Sequence, residues 1–395
     1  MPWKSCSIME SRLEFVRLAD QGCVSVAELC RRFGISRQTG HAYVRRHREA
    51  GAAGLADRSR RPQGSPRQSA PALEQLVVAL RHEHPAWGGR KLARRLRDLG
   101  VAGVPAPSTV TEILRRHGLL DPAEAAKHMP WQRFERAQPN ELWQMDFKGH
   151  IALRQGRCHP LTVLDDHCRY SLGLAACANE TGLTVRTQLS AIFRRYGLPH
   201  AMLADNGSPW GACGNGEYSR FEVWLMRLGV RLYHGRAYHP QTQGKDERFH
   251  RTLKVEVLQG RQFDDLRHCQ HAFDVWRRIY NQERPHEALD LDVPASRYSP
   301  SQVSFPEQLP EPEYDATDIV RKVGRDGYVS FKGRTVKLSE SFDQLNVAFR
   351  PTHEDGIWNA VFMRFTVAKI DLNHEKSHSQ TVRYVSEHLS GMSPV

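Results

Sequence analysis

Leu142-Trp-Gln-Met-Asp-Phe-Lys-Gly-His-Ile151 is the stretch that decides the fold. Its apolar residues Trp143, Met145, Phe147 and Ile151 alternate with Gln144, Asp146, Lys148 and His150. A period of two predicts a half-buried strand with Asp146 on its polar face. Working outward, residues 159–164 and 170–177 read as two more strands joined by an Asp165–Arg169 turn. Residues 182–196 read as a helix, with Leu183, Val185, Leu189, Ile192 and Phe193 spaced for one face. A short apolar strand, Ala201–Ala204, ends at Asp205-Asn-Gly207, a strong turn signal. A helix over 219–228, a brief strand at Val230–Tyr233, a long helix from about Gly244 to about Leu258 and another over 264–282 follow. This pattern predicts a mixed α/β domain with its strands grouped early.

The whole chain has 395 residues, more than one ordinary core accommodates. Its 25 % charged and 40 % apolar residues describe a globular protein. No apolar run approaches the ~18–20 residues needed to cross a bilayer, and the charged N-terminus does not read as a signal peptide. The 8 cysteines form no Cys-x-x-Cys pair, so reduced thiols in a cytoplasmic protein are expected. There is no Gly-x-x-x-x-Gly-Lys-Ser/Thr loop, and ATP use is not indicated.

Charge is concentrated at the front. Residues 1–135 carry 23 Lys+Arg against 13 Asp+Glu, which is +10 of the total +12. Nearly all of these cations are arginines, the side chain suited to phosphates. Residues 9–20 have helical spacing, Ser25-Val-Ala-Glu28 reads as a capping box, Gly34 stops that helix and Ser36 caps another running through Arg48. Two short helices about a glycine turn predict a helix-turn-helix unit that reads DNA with its last helix. That helix carries Arg37, Gln38, Thr39, His41, Arg45 and Arg46. Helices near 72–84, 90–99 and 108–117 suggest a second such unit, with Ser108 as a cap and Arg90, Lys91 and Arg94 lining the middle helix. Beyond a Pro-rich stretch, short apolar segments between Gly, Asp and Asn turns predict a small C-terminal β-barrel.

Three acids stand out by context. Asp146 is in mid-strand, and Asp205 is at a strand's end. Glu247 lies in the first turns of a basic helix, within His239-Pro-Gln-Thr-Gln-Gly-Lys-Asp-Glu-Arg-Phe-His-Arg-Thr-Leu-Lys254. Carboxylates of this kind suit Mg²⁺. Each also has a bland reading, as a strand, turn or helix-start residue. On the same helix Arg251 and Lys254 share the face of Glu247 and would hold DNA phosphates, with Lys245 near the helix start. Gln243 precedes it and would touch bases or backbone, while Phe249, Leu253 and Val257 form a separate apolar stripe.

Taken together, these motifs resemble the DDE transposases of bacterial insertion sequences with a retroviral-integrase-like core. The resemblance rests on Glu141–Gly149, Leu164–Arg169, Asp205-Asn-Gly-Ser-Pro-Trp210, the His239–Lys254 string and Tyr280-Asn-Gln-Glu-Arg-Pro-His-Glu-Ala-Leu289. It implies a multidomain α, α/β and β architecture. The expected order is a helix-turn-helix domain (1–55), a basic linker (56–71), a second helix-turn-helix-like domain (72–120) and a connector (121–141). A ribonuclease-H-like catalytic core (142–300), a small β-barrel (313–373) and a polar tail (374–395) complete it. It also implies a catalytic, metal-binding triad of Asp146, Asp205 and Glu247 with two Mg²⁺, Mn²⁺ being an alternative ion. The partners implied are double-stranded DNA, as terminal inverted repeats and as target, and further copies of the chain; the location implied is the bacterial nucleoid, with no membrane.

One departure concerns spacing. Between Asp205 and Glu247 lie 41 residues, more than is usual for the retroviral type, with the surplus assigned to the glycine-rich Gly211–Tyr218 loop. Glu217 and Asp246 are the rival third acids, and Asp246 stands ~100° round the helix from Glu247. The chemistry expected is hydrolysis at the element's end and transfer of the freed 3′-hydroxyl to target DNA. A DNA-binding regulator derived from a transposase, and a nuclease of the same fold that cleaves without joining, are the alternative readings.

Overall fold

Serine side chains open each of the first three helices. Ser7 caps α1 (Ile8–Asp20), Ser25 caps α2 (Val26–Arg32) and Ser36 caps α3 (Arg37–Ala50), each accepting the backbone N–H three residues on. These details come from a computed structural model that describes residues 7–58, 68–120, 135–205, 207–210, 218–234, 244–373 and 382–384. The chain falls into two compact units, residues 1–68 and 69–395, each described by itself.

In the first unit the capping box expected at Ser25 is half made. The Glu28 N–H reaches Ser25 at 3.4 Å, but its carboxylate turns to Arg31 and Arg32. The reciprocal box is at Ser7, where Glu10 returns the bond. Gly34 turns the chain at φ 66°. The core is Phe15, Val16, Leu29, Cys30, Val44 and Leu55. Gly40 lets α3 press into it: a Cβ there would lie 2.3 Å from Cys30 Sγ and 2.9 Å from Phe15 Cζ.

The second unit begins with α4 (Pro71–Glu83), α5 (Gly89–Asp98) and α6 (Pro107–Arg116), packed around Val77, Trp87, Leu92, Leu96, Val110 and Ile113. Ser108, expected as a cap, sits inside α6. Ala106 is the cap residue and Pro107 opens the helix, where its missing N–H costs nothing.

The central sheet contains β1 (Trp143–Phe147), β3 (Arg157–Asp165), β4 (Ser171–Cys177), β5 (Ala201–Ala204) and β6 (Arg231–His234), with a short β2 (Ile151–Ala152) on the start of β3. Its order is β4-β3-β1-β5-β6, antiparallel through β1 and parallel beyond it. The single strand expected up to Ile151 is broken: Gly149 adopts φ 82°, and Ile151 begins β2. The helices α7 (Gly182–Tyr196) and α8 (Arg220–Arg227) cover the face bearing Trp143 and Met145. The opposite face is covered by α9 (Gly244–Leu253), which runs on into a π turn at Lys254–Leu258, and by α10 (Leu266–Gln282). There the expected stripe of Phe249, Leu253 and Val257 is buried with Leu164, Leu174 and Phe273. The polar face of β1, expected to be open, is therefore roofed, and Gln144 is only 1 % exposed.

The C-terminal region is not a closed barrel among the described residues. Strands β7 (Ile319–Lys322), β10 (Asn346–Pro351), β11 (Ile357–Phe362), β12 (Phe365–Asp371) and β13 (Val382–Tyr384) form an antiparallel sheet in the order β13-β12-β11-β10-β7. A separate hairpin of β8 (Tyr328–Phe331) and β9 (Arg334–Lys337) lies across one face, with Phe331 stacked on Phe349 at 4.1 Å. It buries its apolar side by packing and does not pair with a sheet edge, so nothing closes the ring. Apart from residues 382–384, the expected polar tail lies outside the described residues. No described helix is long and apolar enough to cross a membrane.

Candidate active site

The three acids are carried by three different elements. Asp146 projects from β1, opposite Thr162 of β3. The alternation that sends Trp143 and Met145 into the α7 side sends Asp146 toward α9. Asp205 follows the last residue of β5, where its Oδ1 accepts the Gly207 N–H at 3.0 Å and so fixes its own turn. Glu247 is exposed in the first turn of α9.

Charge links the three. Burial pushes the Asp146 carboxyl up to about 7, and the charges of Asp205, Glu180 and Glu247 add to the rise against a bond from the Phe147 N–H. Among the described residues no three His, Cys, Asp or Glu side chains stand close enough to hold a metal ion as they are. The donors themselves are carboxylate oxygens, the type a hard divalent cation takes, and such an ion would stabilise the charged form of the half-buried Asp146.

Neighbouring side chains hold these acids in place. The main-chain carbonyl of Asp205 accepts from His234 Nδ1 at 2.8 Å, and His234 Nε2 lies 3.2 Å from Glu222 Oε1. Burial disfavours the His234 cation, but Glu222 and the Asp205 carbonyl outweigh it and raise its pKa. Around Asp146, Thr162 donates to the Asp146 carbonyl at 3.0 Å, and His250 of α9 contacts the same Thr162 hydroxyl at 2.9 Å. Burial pushes His250 down to about 4, so its ring is neutral.

Asp246 and Lys245 turn inward. Asp246 is 1 % exposed, and neither carboxylate oxygen has a hydrogen-bond partner among the described residues. Burial first, then Asp146 and Asp166, drive its pKa well up. Lys245 sits 2.5 Å from the buried Asp166, and burial lowers it to about 8.

The integrase core domain model matches residues 136–240 and a second integrase core model matches residues 228–294. A homeodomain-like model matches residues 39–114, a helix-turn-helix model residues 11–63, and the C-terminal domain model of the IS481 family of transposases residues 318–378. Over these segments the chain is similar to integrase cores and to transposases of insertion elements. An uncharacterized protein of insertion element IS476 from Xanthomonas euvesicatoria is 28 % identical over 277 residues, 67 % of this chain and 75 % of its own. The transposase for insertion sequence element IS904 from Lactococcus lactis is 22 % identical over 240 residues, 56 % of this chain and 91 % of its own. Among solved structures, the HTLV-2 integrase catalytic core domain in complex with magnesium overlays 41 % of this chain and 99 % of its own, at 13 % identity and a TM-score of 0.33.

In this chain the basic residues expected on DNA have unequal surroundings. Arg37, Gln38, His41 and Arg45 are exposed on α3 and fall, with Arg48, within about 100° of the helix circumference. Thr39 and Arg46 lie off that arc. The Thr39 hydroxyl is 2.8 Å from Ser36 Oγ, and Arg46 bonds the Ala56 carbonyl beside the Tyr43 ring. On α5, Arg90 is exposed, but Arg94 is held by Asp98 at 2.8 Å and Asp292 at 3.1 Å. Lys91 is lowered to about 7 by burial and by Arg284. On α9 and at the start of the π turn that continues it, Arg248, Arg251 and Lys254 are exposed, and none of the three makes an ion pair among the described residues. Gln243, Glu217 and the rest of Gly211–Glu217 lie outside the described residues.

His250, Thr162, Glu180 and His234 escaped the sequence reading. His250 follows Glu247 by three positions, so helical spacing puts it on a neighbouring face. Glu180, bonded to His159 at 2.8 Å, carries no local signal.

Proposed function

We propose that the protein binds the terminal inverted repeats of its element through the exposed arc of α3, hydrolyses the phosphodiester at the element's end and joins the freed 3′-hydroxyl to target DNA. The observation that carries this reading is the half-buried Asp146 carboxyl, raised to about 7 by burial and by Asp205, Glu180 and Glu247. Asp146, Asp205 and Glu247 would hold two Mg²⁺ ions, with Mn²⁺ as an alternative. When bound, such ions make the attacking oxygen a better nucleophile and stabilise the leaving one. Glu247 suits the third place better than Asp246 because it opens to the side a phosphodiester can reach, whereas Asp246 is fully enclosed.

The chain's own residues supply position and charge. The outward cations of α9, Arg248, Arg251 and Lys254, would grip phosphates on either side of the scissile bond. His234 and the Asx turn hold the Asp205 backbone, which limits reorganisation when substrate arrives. Joining two ends requires more than one copy on the DNA, so a homo-multimer is part of the reading.

A labelled duplex bearing the element's end, incubated with Mg²⁺ and plasmid target, tests it. Wild type cleaves and joins; Glu247→Gln abolishes both and Asp246→Asn retains them. Loss with Asp246→Asn alone would reassign the third acid. End binding without cleavage by folded, multimeric protein would make the chain a regulator, and cleavage without joining would make it a nuclease.

A further inference from the structure

We propose that Lys148 and Lys254 together hold one DNA backbone phosphate beside Asp146, Lys148 from the end of β1 and Lys254 from the π turn that continues α9. The inference rests on the DNA-processing reading above and adds to it a residue, Lys148, that the reading does not use.

Two steps of equal length from one contact carry it. Thr162 is fully buried, and its hydroxyl donates to the Asp146 main-chain carbonyl at 3.0 Å. The same oxygen lies 2.9 Å from His250 Nε2, so β1 and α9 are pinned together at Asp146 and His250. Lys148 follows Asp146 by two positions. Its N–H donates to the Pro160 carbonyl at 3.0 Å, so the ladder between β1 and β3 continues past Phe147 and keeps Lys148 on the face of Asp146. Gly149 then turns the chain away at φ 82°. Lys254 follows His250 by four positions and lies on the same side of the helix. The strand step is ~6.6 Å and the helix step ~6 Å. The charges show that both run the same way. Lys254 adds to burial in lowering the Lys148 ammonium, and Lys148 adds to burial in lowering His250.

Neither lysine makes an ion pair among the described residues. Lys148 is half-buried and Lys254 exposed. Cations so placed repel each other, and an anion bridging them relieves the repulsion. A phosphodiester suits the place, with one negative charge and two unesterified oxygens, one for each ammonium. Arg248 and Arg251 stand about 160° and 100° round the helix from His250, whereas Lys254 stands about 40° from it. The phosphate between the two lysines therefore lies on the Asp146 side of α9, and the arginines reach others from the outer side.

The test follows binding of the full-length protein to a labelled duplex bearing the element's end, by fluorescence anisotropy without divalent ions. Lys148→Gln and Lys254→Gln should each weaken binding about tenfold, and Lys148→Arg, which keeps the charge, should restore most of it. The melting temperature of free Lys148→Gln should not fall, since the substitution removes a repulsion. In a series of duplexes each carrying one neutral methylphosphonate, one position should cost wild type about tenfold and each Gln variant much less, at the same position for both. Unweakened binding by Lys148→Gln, or different positions for the two variants, would overturn the proposal. A melting temperature that falls with the affinity would make the loss one of folding and overturn it too. Adding Mg²⁺ and plasmid target separates this from the catalytic reading. Wild type that binds but neither cleaves nor joins would remove that reading, while weakened binding by Lys148→Gln would still support the shared phosphate.

Discussion

Asp146 shows how a carboxyl can be buried at the expense of the fold. Its carboxyl titrates at about 7 in the folded chain, against 3.8 in an open one. Below both values the acid is neutral in either state and pH has no effect through it. As pH rises past 3.8 the unfolded chain releases the proton that the folded chain keeps, so stability falls, and the full penalty is present above about 7. Asp146→Asn should therefore raise the melting temperature at pH 8 without divalent ions, by the equivalent of about 2–4 kcal/mol, while cutting strand cleavage at least ~10²-fold. Wild type, but not the variant, should recover stability on adding Mg²⁺. Thermal melts from pH 4 to 9 with and without Mg²⁺ check both arms, and an unstabilised variant would mean that the carboxyl is better solvated than its burial indicates. His234 has the opposite sign. Both of its ring nitrogens face acceptors, the Asp205 carbonyl and the Glu222 carboxylate, so the cation is the form that satisfies both. Its pKa is raised in the folded state, so its contribution is complete below the ordinary histidine value and is lost as pH rises through the raised one. His234→Gln should cost about 1 kcal/mol at pH 5.5 and much less at pH 9, read as a difference between melting curves.

At the scale of elements, α5 is defined by what its arginines touch. Arg95 reaches Glu283 at 2.5 Å and Arg94 reaches Asp292, partners 188 and 198 residues away in sequence. A double-mutant cycle of Arg95→Ala with Glu283→Ala should give a coupling of about 1 kcal/mol, the scale of a partly exposed ion pair. Additive effects would show that the pair contributes nothing to docking α5 on the core. In the first unit, Gly40→Ala should destabilise by about 1–3 kcal/mol from overpacking against Cys30 and Phe15, although alanine is the better helix former. Chemical denaturation decides which effect wins. These cases also separate what the sequence could disclose. The 182–196 helix and the 201–204 strand were legible to the residue, because periodicity is a local property. The closing of a barrel depends on which edges meet, and no local pattern encodes that the hairpin packs across the sheet. The pairing of Arg94 and Arg95 was not legible because their acidic partners lie so far along the chain. The three candidate acids were singled out through their motifs, while Glu180, held by His159 of β3, carries no local signal and the His250–Thr162 contact exists only once α9 lies over β1.

For the whole molecule, net charge of +12 sets the expectation that DNA is bound largely through its phosphates. How steeply that binding falls with salt reports how many cations reach the backbone, roughly one unit of slope per phosphate contact. The cations of this chain divide into two groups. Arg37, Arg45 and Arg48 share an exposed arc of α3, and Arg248 and Arg251 of α9 stand exposed with Lys254 of the following π turn. Arg94, by contrast, is held between Asp98 and Asp292. Affinity for an element-end duplex measured across salt concentrations should therefore lose about one unit of slope in Arg45→Ala or Arg251→Ala. Arg94→Ala should leave the slope unchanged and lower the melting temperature instead. If Arg94→Ala flattened the salt dependence as much as Arg45→Ala, the ion pairs of α5 would have to open when DNA arrives. The second helical unit would then exchange the acids of the core for phosphates, and its docked position would be one of two states of the protein.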